Sequence, residues 1–228
     1  MAILEARGIH KTYESRGVET PALRGIDLAL DEGEFTVLHG PSGCGKTTLL
    51  NLLGALDTPS RGTVILDGED LSGLSSKAIA ALRLHKLGFV FQAYNLIPVL
   101  TARENVEFVM ELQGVPPGQR KDRSERILGE VGLSDLADKR PMEMSGGQQQ
   151  RVAVARAIVG EPRVVLADEP TANLDSKTSG QLLDLMEHLN REHGVTFLFS
   201  THDMLVIGKA RRRVHLRDGQ VVDDERLA

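Results

Sequence analysis

The chain of 228 residues has a single cysteine, Cys44, so an internal disulfide framework is excluded and a reducing, cytoplasmic setting is favoured. No apolar run approaches the length that spans a bilayer, and we expect a soluble chain that reaches a membrane only through a partner. The net charge is −5 and the basic residues are dispersed, which argues against a nucleic-acid-binding protein. Repeats and low-complexity segments are also lacking, whereas a hydrophobic content of 41% suffices for a folded core.

Residues 40–48, by contrast, match the P-loop pattern of two glycines with four residues between them, followed by Lys and Thr. A predicted buried strand at residues 35–39 precedes them, and leucines at helical spacing follow. Glycines allow backbone N–H groups to approach a polyphosphate at the positive end of a helix. We expect Lys46 to reach the β- and γ-phosphates and Thr47 to ligate Mg²⁺. The predicted nucleotide contacts in the loop are Gly40, Ser42, Gly43, Cys44, Gly45, Lys46, Thr47 and Thr48.

Three segments with alternating polarity, residues 3–10, 23–30 and 63–66, predict strands of one small antiparallel β layer. Tyr13 lies between the first two of these segments. Without a nucleotide site, Tyr13 would simply be a partly buried surface aromatic. Because an aromatic ring at the edge of such a site can stack on adenine, the P-loop favours stacking.

A further buried strand, residues 163–167, ends at Asp168 and Glu169. Such a strand would carry both carboxylates to the carboxyl edge of a parallel sheet, where ligands of open α/β folds bind. We predict that Asp168 holds Mg²⁺ and that Glu169 orients or deprotonates the attacking water. A solvated turn is the alternative.

Two more predicted strands end in polar side chains, Gln92 after residues 87–91 and His202 after residues 195–200. A glutamine can touch the metal shell and the attacking water without titrating, and a histidine at a sheet edge can donate to a γ-phosphate. Either residue alone would more often be structural. Asp175 is expected to cap the next helix, and Arg211–Arg213 are expected to form a solvated cluster.

From residue 93 to residue 144 short helices alternate with proline-containing loops, which predicts a helical insertion. The insertion ends at Ser145-Gly146-Gly147-Gln148. Ser145 can cap the helix that follows, or its hydroxyl and the N–H groups of the two glycines can bind an anion at the positive helix end.

In this order, the motifs resemble those of the ATP-binding cassette ATPases over essentially the whole chain. The resemblance assigns six family motifs, which are Walker A (residues 40–48), the Q-loop (Gln92), the signature (residues 145–148), Walker B with the catalytic glutamate (residues 164–169), the D-loop (residues 172–175) and the switch histidine (His202). Met144 stands where the family usually has Leu, a volume-conserving difference.

The family implies an α/β fold in one domain, residues 1–228. Its core is a P-loop NTPase core with a parallel sheet and an N-terminal antiparallel β layer, at residues 1–92 and 151–228. The helical subdomain, residues 93–150, carries the signature.

The family also implies an ATP-hydrolysing transporter motor, with Lys46, Gln92, Glu169 and His202 as its catalytic residues. Such a motor binds ATP and Mg²⁺, and the residues implied to coordinate the metal are Thr47, Gln92 and Asp168. A head-to-tail homodimer is implied, in which Ser145 and Gly147 of one subunit contact the γ-phosphate held by the other subunit's Lys46. Gln148 is a further nucleotide-binding residue that the resemblance implies.

Within the family, residues 89–98, 145–151 and 170–176 look most like ATPases of lipoprotein-release and macrolide-export systems. This likeness implies a permease partner, a lipophilic or lipoprotein-like substrate, and a peripheral position on the cytoplasmic face of the inner or plasma membrane. The loop at residues 93–100, with apolar Tyr94 and Val99, is expected to dock on the permease.

Two other classes of protein are alternatives to a transporter motor. One is a cytosolic ATPase of the same superfamily that acts on a non-transport partner such as DNA or ribosomes. This chain has one cassette, and its insertion of about fifty residues lacks sustained heptads, which argues against such a protein. The other class is a P-loop kinase or GTPase-like switch, which would not need the signature at Ser145.

Overall fold

A computed structural model describes residues 2–15 and 17–227. The strands are β1 (Ala2–Ser15), β2 (Val18–Asp31), β3 (Phe35–His39), β4 (Arg61–Leu66), β5 (Glu69–Asp70), β6 (Leu87–Val90), β7 (Val164–Asp168), β8 (Thr196–Thr201), β9 (Arg212–Arg217) and β10 (Gln220–Arg226). The helices are α1 (Lys46–Leu53), α2 (Ser76–Lys86), α3 (Ala102–Leu112), α4 (Pro117–Glu130), α5 (Gly146–Ile158), α6 (Ser176–His193) and α7 (Met204–Lys209). Short 3₁₀ turns occupy Leu71–Gly73, Ser134–Leu136 and Pro141–Glu143.

The larger sheet has the strand order β10-β9-β3-β8-β7-β6, and only β10 runs antiparallel to its neighbour. Its central strands are almost continuously apolar because helices or the second sheet cover both of its faces. The register pairs Asp168 with Ser200 and His39 with Thr201. The carboxyl ends of β3, β8 and β7 therefore meet at one edge, where Asp168 and the start of the P-loop lie close together.

The smaller sheet is the predicted antiparallel layer, with the order β2-β1-β4-β5. Helix α1 contributes Leu49, Leu50, Leu52 and Leu53 to a core shared with this layer. Contrary to the sequence prediction, Tyr13 lies within a strand, because β1 continues to Ser15 and pairs Tyr13 with Thr20. The alternation of polarity that predicts this strand ends at residue 10, because the outer half of the hairpin has few buried side chains. The backbone pairing of the two strands nevertheless continues.

The predicted helical insertion consists of α3, α4 and the 3₁₀ turns after them, and it leads into α5. Thr101 and Glu104 form a capping box at the start of α3, and Val106 and Met110 point into the core. Helix α5 continues from this region towards the large sheet, so the predicted boundary between residues 150 and 151 falls inside a helix. The division into subdomains stays a prediction.

The expectation of a solvated cluster at Arg211–Arg213 is wrong for Arg212, which is only 7% exposed. Its guanidinium donates two hydrogen bonds to Asp224, at 2.8 and 2.7 Å, and one to Glu34 at 2.8 Å. It also donates to the Ala29 carbonyl at 2.7 Å. Arg212 therefore joins β2 of the small sheet to the large sheet. Its partners lie elsewhere in the sequence, so the burial of Arg212 cannot be predicted from the run of three arginines.

Replacing Arg212 with methionine should lower the free energy of unfolding by about 1–3 kcal/mol, because the poorly solvated Glu34 carboxylate would lose its buried cationic partner and keep only the exposed Arg226. Urea unfolding followed by circular dichroism measures the change. Arg217→Met, on the exposed end of the same strand, is the matched control and should change stability by less than about 0.5 kcal/mol. Equal stabilities of the two variants would contradict a structural role for the network.

Candidate nucleotide-binding site

The P-loop connects β3 to α1 through backbone conformations that suit glycine. Gly43 and Gly45 have φ values of 76° and 106°. At Gly40, a β-carbon would lie 2.0 Å from the Leu216 carbonyl oxygen, so no larger residue fits there. Among the described residues no side chain caps α1 at Gly45. The first-turn N–H groups of α1 are therefore available for an anion at the positive end of the helix.

The Lys46 side chain is hydrogen-bonded to the backbone of this loop. Its Nζ donates to the Gly40 carbonyl at 2.9 Å and to the Pro41 carbonyl at 3.1 Å, and the residue is 7% exposed. A buried ammonium with only two neutral acceptors keeps one donor for a third partner. A phosphate oxygen in the loop would supply that partner.

Thr47 and Asp168 meet beside the P-loop, where the Thr47 hydroxyl donates to Asp168 Oδ1 at 3.2 Å. Burial raises the pKa of Asp168, against the hydrogen bonds and the Lys46 charge that act in the opposite direction. A hydroxyl and a carboxylate are hard oxygen ligands of the kind that Mg²⁺ prefers. No cluster of three or more His, Cys, Asp or Glu side chains within residues 2–15 and 17–227 is arranged for a metal, so Mg²⁺ here would also need phosphate oxygens and water.

Three hydrogen-bond contacts fix the position of Glu169 just after the end of β7. Its N–H donates to the Ser200 carbonyl at 2.8 Å, and its φ of 46° turns the chain sharply. The carboxylate accepts from the Thr201 hydroxyl at 3.0 Å, and its other oxygen lies 2.7 Å from His202 Nδ1. A left-handed conformation at a non-glycine residue is strained, and such strain is concentrated at functional sites. His202 is exposed, so its Nε2 is free to meet a ligand.

One cavity of about 540 Å³ brings most of the predicted site together. It is lined by predicted residues from the P-loop, the Q-loop, Walker B and the switch position, namely Ser42, Gly43, Gly45, Lys46, Thr47, Thr48, Gln92, Glu169 and His202. Ala172 of the predicted D-loop also lines it. Sequence analysis missed Ala22 of β2, whose carbonyl approaches the P-loop at Gly45, because an alanine in a strand carries no chemical signal.

Other predicted residues lie outside this lining. Gly40 and Cys44 form the underside of the P-loop, and Cys44 is buried. Tyr13 is 42% exposed on β1.

The signature segment is also separate from the cavity. Ser145 caps α5 by accepting from the Gln148 N–H at 3.4 Å, and Gln148 Oε1 accepts from the Ser145 N–H at 2.8 Å. A β-carbon at Gly147 would lie 2.6 Å from Thr178, so this turn is closely packed. The predicted cap is therefore present, and the anion-binding role of the segment stays a prediction.

Replacing Asp168 with asparagine should raise the melting temperature in EDTA at pH 7 by a few degrees. The raised pKa means that the folded chain binds a proton here more tightly than the unfolded chain, so ionisation at neutral pH costs stability. This gain should vanish below the ordinary carboxyl pKa of about 3.9, where both states are protonated. Asp175→Asn is the control and should lower the melting temperature at pH 7. Hydrogen bonds from Thr178 lower the pKa of Asp175 at the cap of α6, so the ionised form of this residue stabilises the fold. An Asp168→Asn variant that is less stable at pH 7 would contradict the argument.

A phosphate cradle at the carboxyl edge of a parallel sheet, beside an acidic strand end, defines the class of P-loop nucleoside triphosphatases. Comparison with known proteins narrows this class. The family model described as ABC transporter matches residues 23–172, and the chain belongs to this ATP-binding cassette family. It is an ATPase of that family, as its motifs predicted.

Individual relatives agree with this assignment. The lipoprotein-releasing system ATP-binding protein LolD 1 of Rhodopseudomonas palustris is 47% identical over 96% of this chain and 98% of its own length. The macrolide export ATP-binding/permease protein MacB of Marinobacter nauticus is 44% identical over 97% of this chain, which spans 34% of MacB. Dimeric MJ0796 bound to ADP and Pi has a TM-score of 0.91 and 40% identity, with 99% of each chain covered. The predicted family and α/β fold are thus confirmed.

Proposed function

We propose that this ATPase is the motor subunit of a membrane transporter and that it hydrolyses MgATP at the cavity described above. The observation that carries the proposal is the position of Glu169, whose carboxylate is held by Thr201 and His202 in the cavity that Lys46 and Thr47 also line. A carboxylate fixed beside a phosphate cradle can orient a water and accept its proton.

Each residue has a distinct part in this proposal. The P-loop N–H groups and Lys46 bind the β- and γ-phosphates, while His202 and Gln92 contact the γ-phosphate and the attacking water. Thr47 and Asp168, with Gln92, would hold Mg²⁺, which supplies charge neutralisation at the phosphate oxygens when bound. Tyr13 stacks on the adenine ring.

We further propose that two copies of the chain complete each site head to tail. Ser145, Gly147 and Gln148 lie outside the cavity that contains the P-loop, so one copy offers a phosphate cradle and a separate helix N-terminus. An ATP molecule between two copies would be contacted by both. The dimeric state of the relative MJ0796 supports this arrangement.

A permease helix is proposed to dock in an apolar groove of about 550 Å³ that adjoins the loop at residues 93–100. Phe91, Asn95 and Leu112 of α3 are among the residues that line the groove. Of the apolar side chains in this loop, Val99 is 72% exposed, whereas Tyr94, Leu96 and Ile97 are half-buried.

The docking loop is tied to the nucleotide site. Arg156 of α5 donates to the carbonyls of Tyr94 and Asn95, and the Asn173 side chain donates to the Gln92 carbonyl at 2.9 Å. A displaced loop would therefore move the helix that starts at the signature, and also the D-loop. This linkage supports coupling between permease movement and hydrolysis.

Leu112→Glu should abolish stimulation of ATP hydrolysis by native membranes, because it places a charge in the apolar groove, while the membrane-free rate stays within about twofold. Leu112 is 57% exposed, so the substitution should be tolerated by the fold. Val222→Glu is the matched control, as Val222 is 52% exposed on β10, away from the groove. Crosslinks from Tyr94→Cys to a membrane subunit would give independent support. Full stimulation of the Leu112→Glu protein would exclude docking in this groove.

The proposed substrate is lipophilic or lipoprotein-like, and the proposed location is peripheral, on the cytoplasmic face of the inner or plasma membrane. The names of the relatives LolD 1 and MacB support the substrate class. Within residues 2–15 and 17–227 no helix has the length and apolarity needed to cross a membrane.

A further inference from the structure

Asp57, in the turn that follows α1, connects two side chains of β1. Its Oδ2 accepts a hydrogen bond from the Tyr13 hydroxyl at 3.0 Å, and its Oδ1 accepts from Lys11 Nζ at 2.7 Å. Lys11 also donates to the Thr58 carbonyl at 2.8 Å, and its side chain is only 12% exposed. Burial opposes ionisation of Asp57, but hydrogen bonds from Lys11, Thr58 and Tyr13 outweigh it, so the pKa of Asp57 is lowered.

Lys11 and Tyr13 lie on the same side of β1, two residues apart. The Lys11 ammonium is 4.9 Å from the centre of the Tyr13 ring, which places a cation over one ring face. Tyr13 is nevertheless 42% exposed. The ring is therefore held at its hydroxyl and on one face, and the exposed area is left for a planar ligand.

Helix α1 connects this ring to the phosphate cradle. Lys46 and Thr47 begin the helix, and the turn after it contains Asp57. An eight-residue helix spans about 12 Å, so the distance between the phosphate site and the ring is fixed by one rigid element. Without the contacts to Asp57 and Lys11, an exposed tyrosine on the outer part of a hairpin would lose side-chain entropy when it stacks on a ligand, and this loss would lower the affinity.

We propose that Asp57, together with Lys11, is a positioning residue that holds the Tyr13 ring ready for adenine. This inference rests on the proposed stacking role of Tyr13. It predicts that Asp57 affects nucleotide binding only through Tyr13. Since the adenine ring is unchanged by hydrolysis, ATP and ADP should be affected alike and the chemical step should not.

The test is a double-mutant cycle with calorimetric binding of MgATP and ADP and with steady-state hydrolysis. Tyr13→Ala should weaken binding of both nucleotides on the order of tenfold, as expected for loss of one base stack. Asp57→Ala should weaken both about three- to fivefold and raise KM by the same factor, with kcat within twofold, because the stack persists without its support. Tyr13→Phe, which keeps the ring but not the hydroxyl, should show a smaller loss of the same kind. Asp57→Asn, which can still accept from Tyr13, should recover part of the affinity.

In the Tyr13→Ala background, Asp57→Ala should have no further effect on affinity. Asp138→Ala is the matched control, since it removes the ion pair of Asp138 with Arg103 far from Tyr13 in the helical insertion and should leave both nucleotide affinities unchanged. An equal loss from Asp57→Ala in both backgrounds would overturn the positioning role and leave stacking intact. Unchanged affinity in Tyr13→Ala itself would overturn the stacking proposal as well.

Discussion

Lys46→Ala should lower the rate of ATP hydrolysis by at least about 10²–10³-fold, the effect of removing one preorganised donor to developing charge. In the folded chain Lys46 Nζ is already held by the Gly40 and Pro41 carbonyls, 2.9 and 3.1 Å away, so no reorganisation is needed when phosphate arrives. Loss of the ammonium leaves phosphate charge unpaired in a partly buried loop. MgATP affinity should fall too, and ADP affinity should fall less, because ADP lacks the γ-phosphate.

Purified protein, a phosphate-release assay and calorimetry are sufficient for this measurement. Lys77→Ala, an exposed lysine on α2, is the control and should keep the full rate. Because Lys46 also bonds the loop carbonyls, the melting temperature of each variant must be compared in the absence of nucleotide. A well-folded Lys46→Ala protein whose rate is within tenfold of the wild type would contradict the proposed role of the P-loop.

The parts of the site that sequence analysis predicted are those carried by local patterns. Strands β6, β7 and β8 contain short buried apolar runs, and a polar residue just after such a run lies at a sheet edge. That reasoning predicted Glu169, Gln92 and His202 as candidate site residues, and all three line one cavity. The P-loop was predictable because its glycines meet a local backbone requirement.

The parts that were missed depend on register and on contacts between distant segments. Arg212 is buried because β9 lies between β3 and β10, an arrangement that three consecutive arginines do not indicate. Asp57 reaches Tyr13 across 44 residues of sequence. In the sequence such residues look like isolated surface charges, because only the fold brings their partners to them.

Glu169→Gln should lower turnover by about 10²–10⁴-fold, the usual contribution of a general base, with nucleotide affinity retained. A glutamine side chain keeps the shape of the carboxylate and can still accept from the Thr201 hydroxyl, so the end of β7 should keep its geometry. The amide cannot accept the proton of the attacking water. MgATP should therefore remain bound and uncleaved, and this variant is the one in which a complex stabilised by ATP should accumulate.

If the γ-phosphate at one P-loop is contacted by the signature of a second copy, the Glu169→Gln protein should be dimeric with MgATP and monomeric with ADP. Binding of a ligand shared by two subunits stabilises their association by mass action, and ADP lacks the group that is shared. Light scattering after gel filtration, with each nucleotide in the column buffer, measures the mass directly. A dimer that forms equally well with either nucleotide would contradict a site built around the γ-phosphate.

Adding Ser145→Arg to Glu169→Gln should abolish the dimer by steric conflict at the signature and leave Lys46-dependent binding of MgATP in place. Ser145 also caps α5, and loss of a cap costs about 1 kcal/mol, so a destabilised helix must be distinguished from a blocked interface. Thr101→Ala in the same background is the matched control, because it removes the comparable cap of α3 and no part of the proposed site. The expected result is a dimer with Thr101→Ala and a monomer with Ser145→Arg, both of which bind MgATP. A dimer that survives Ser145→Arg would show that the signature of the second copy does not meet the nucleotide.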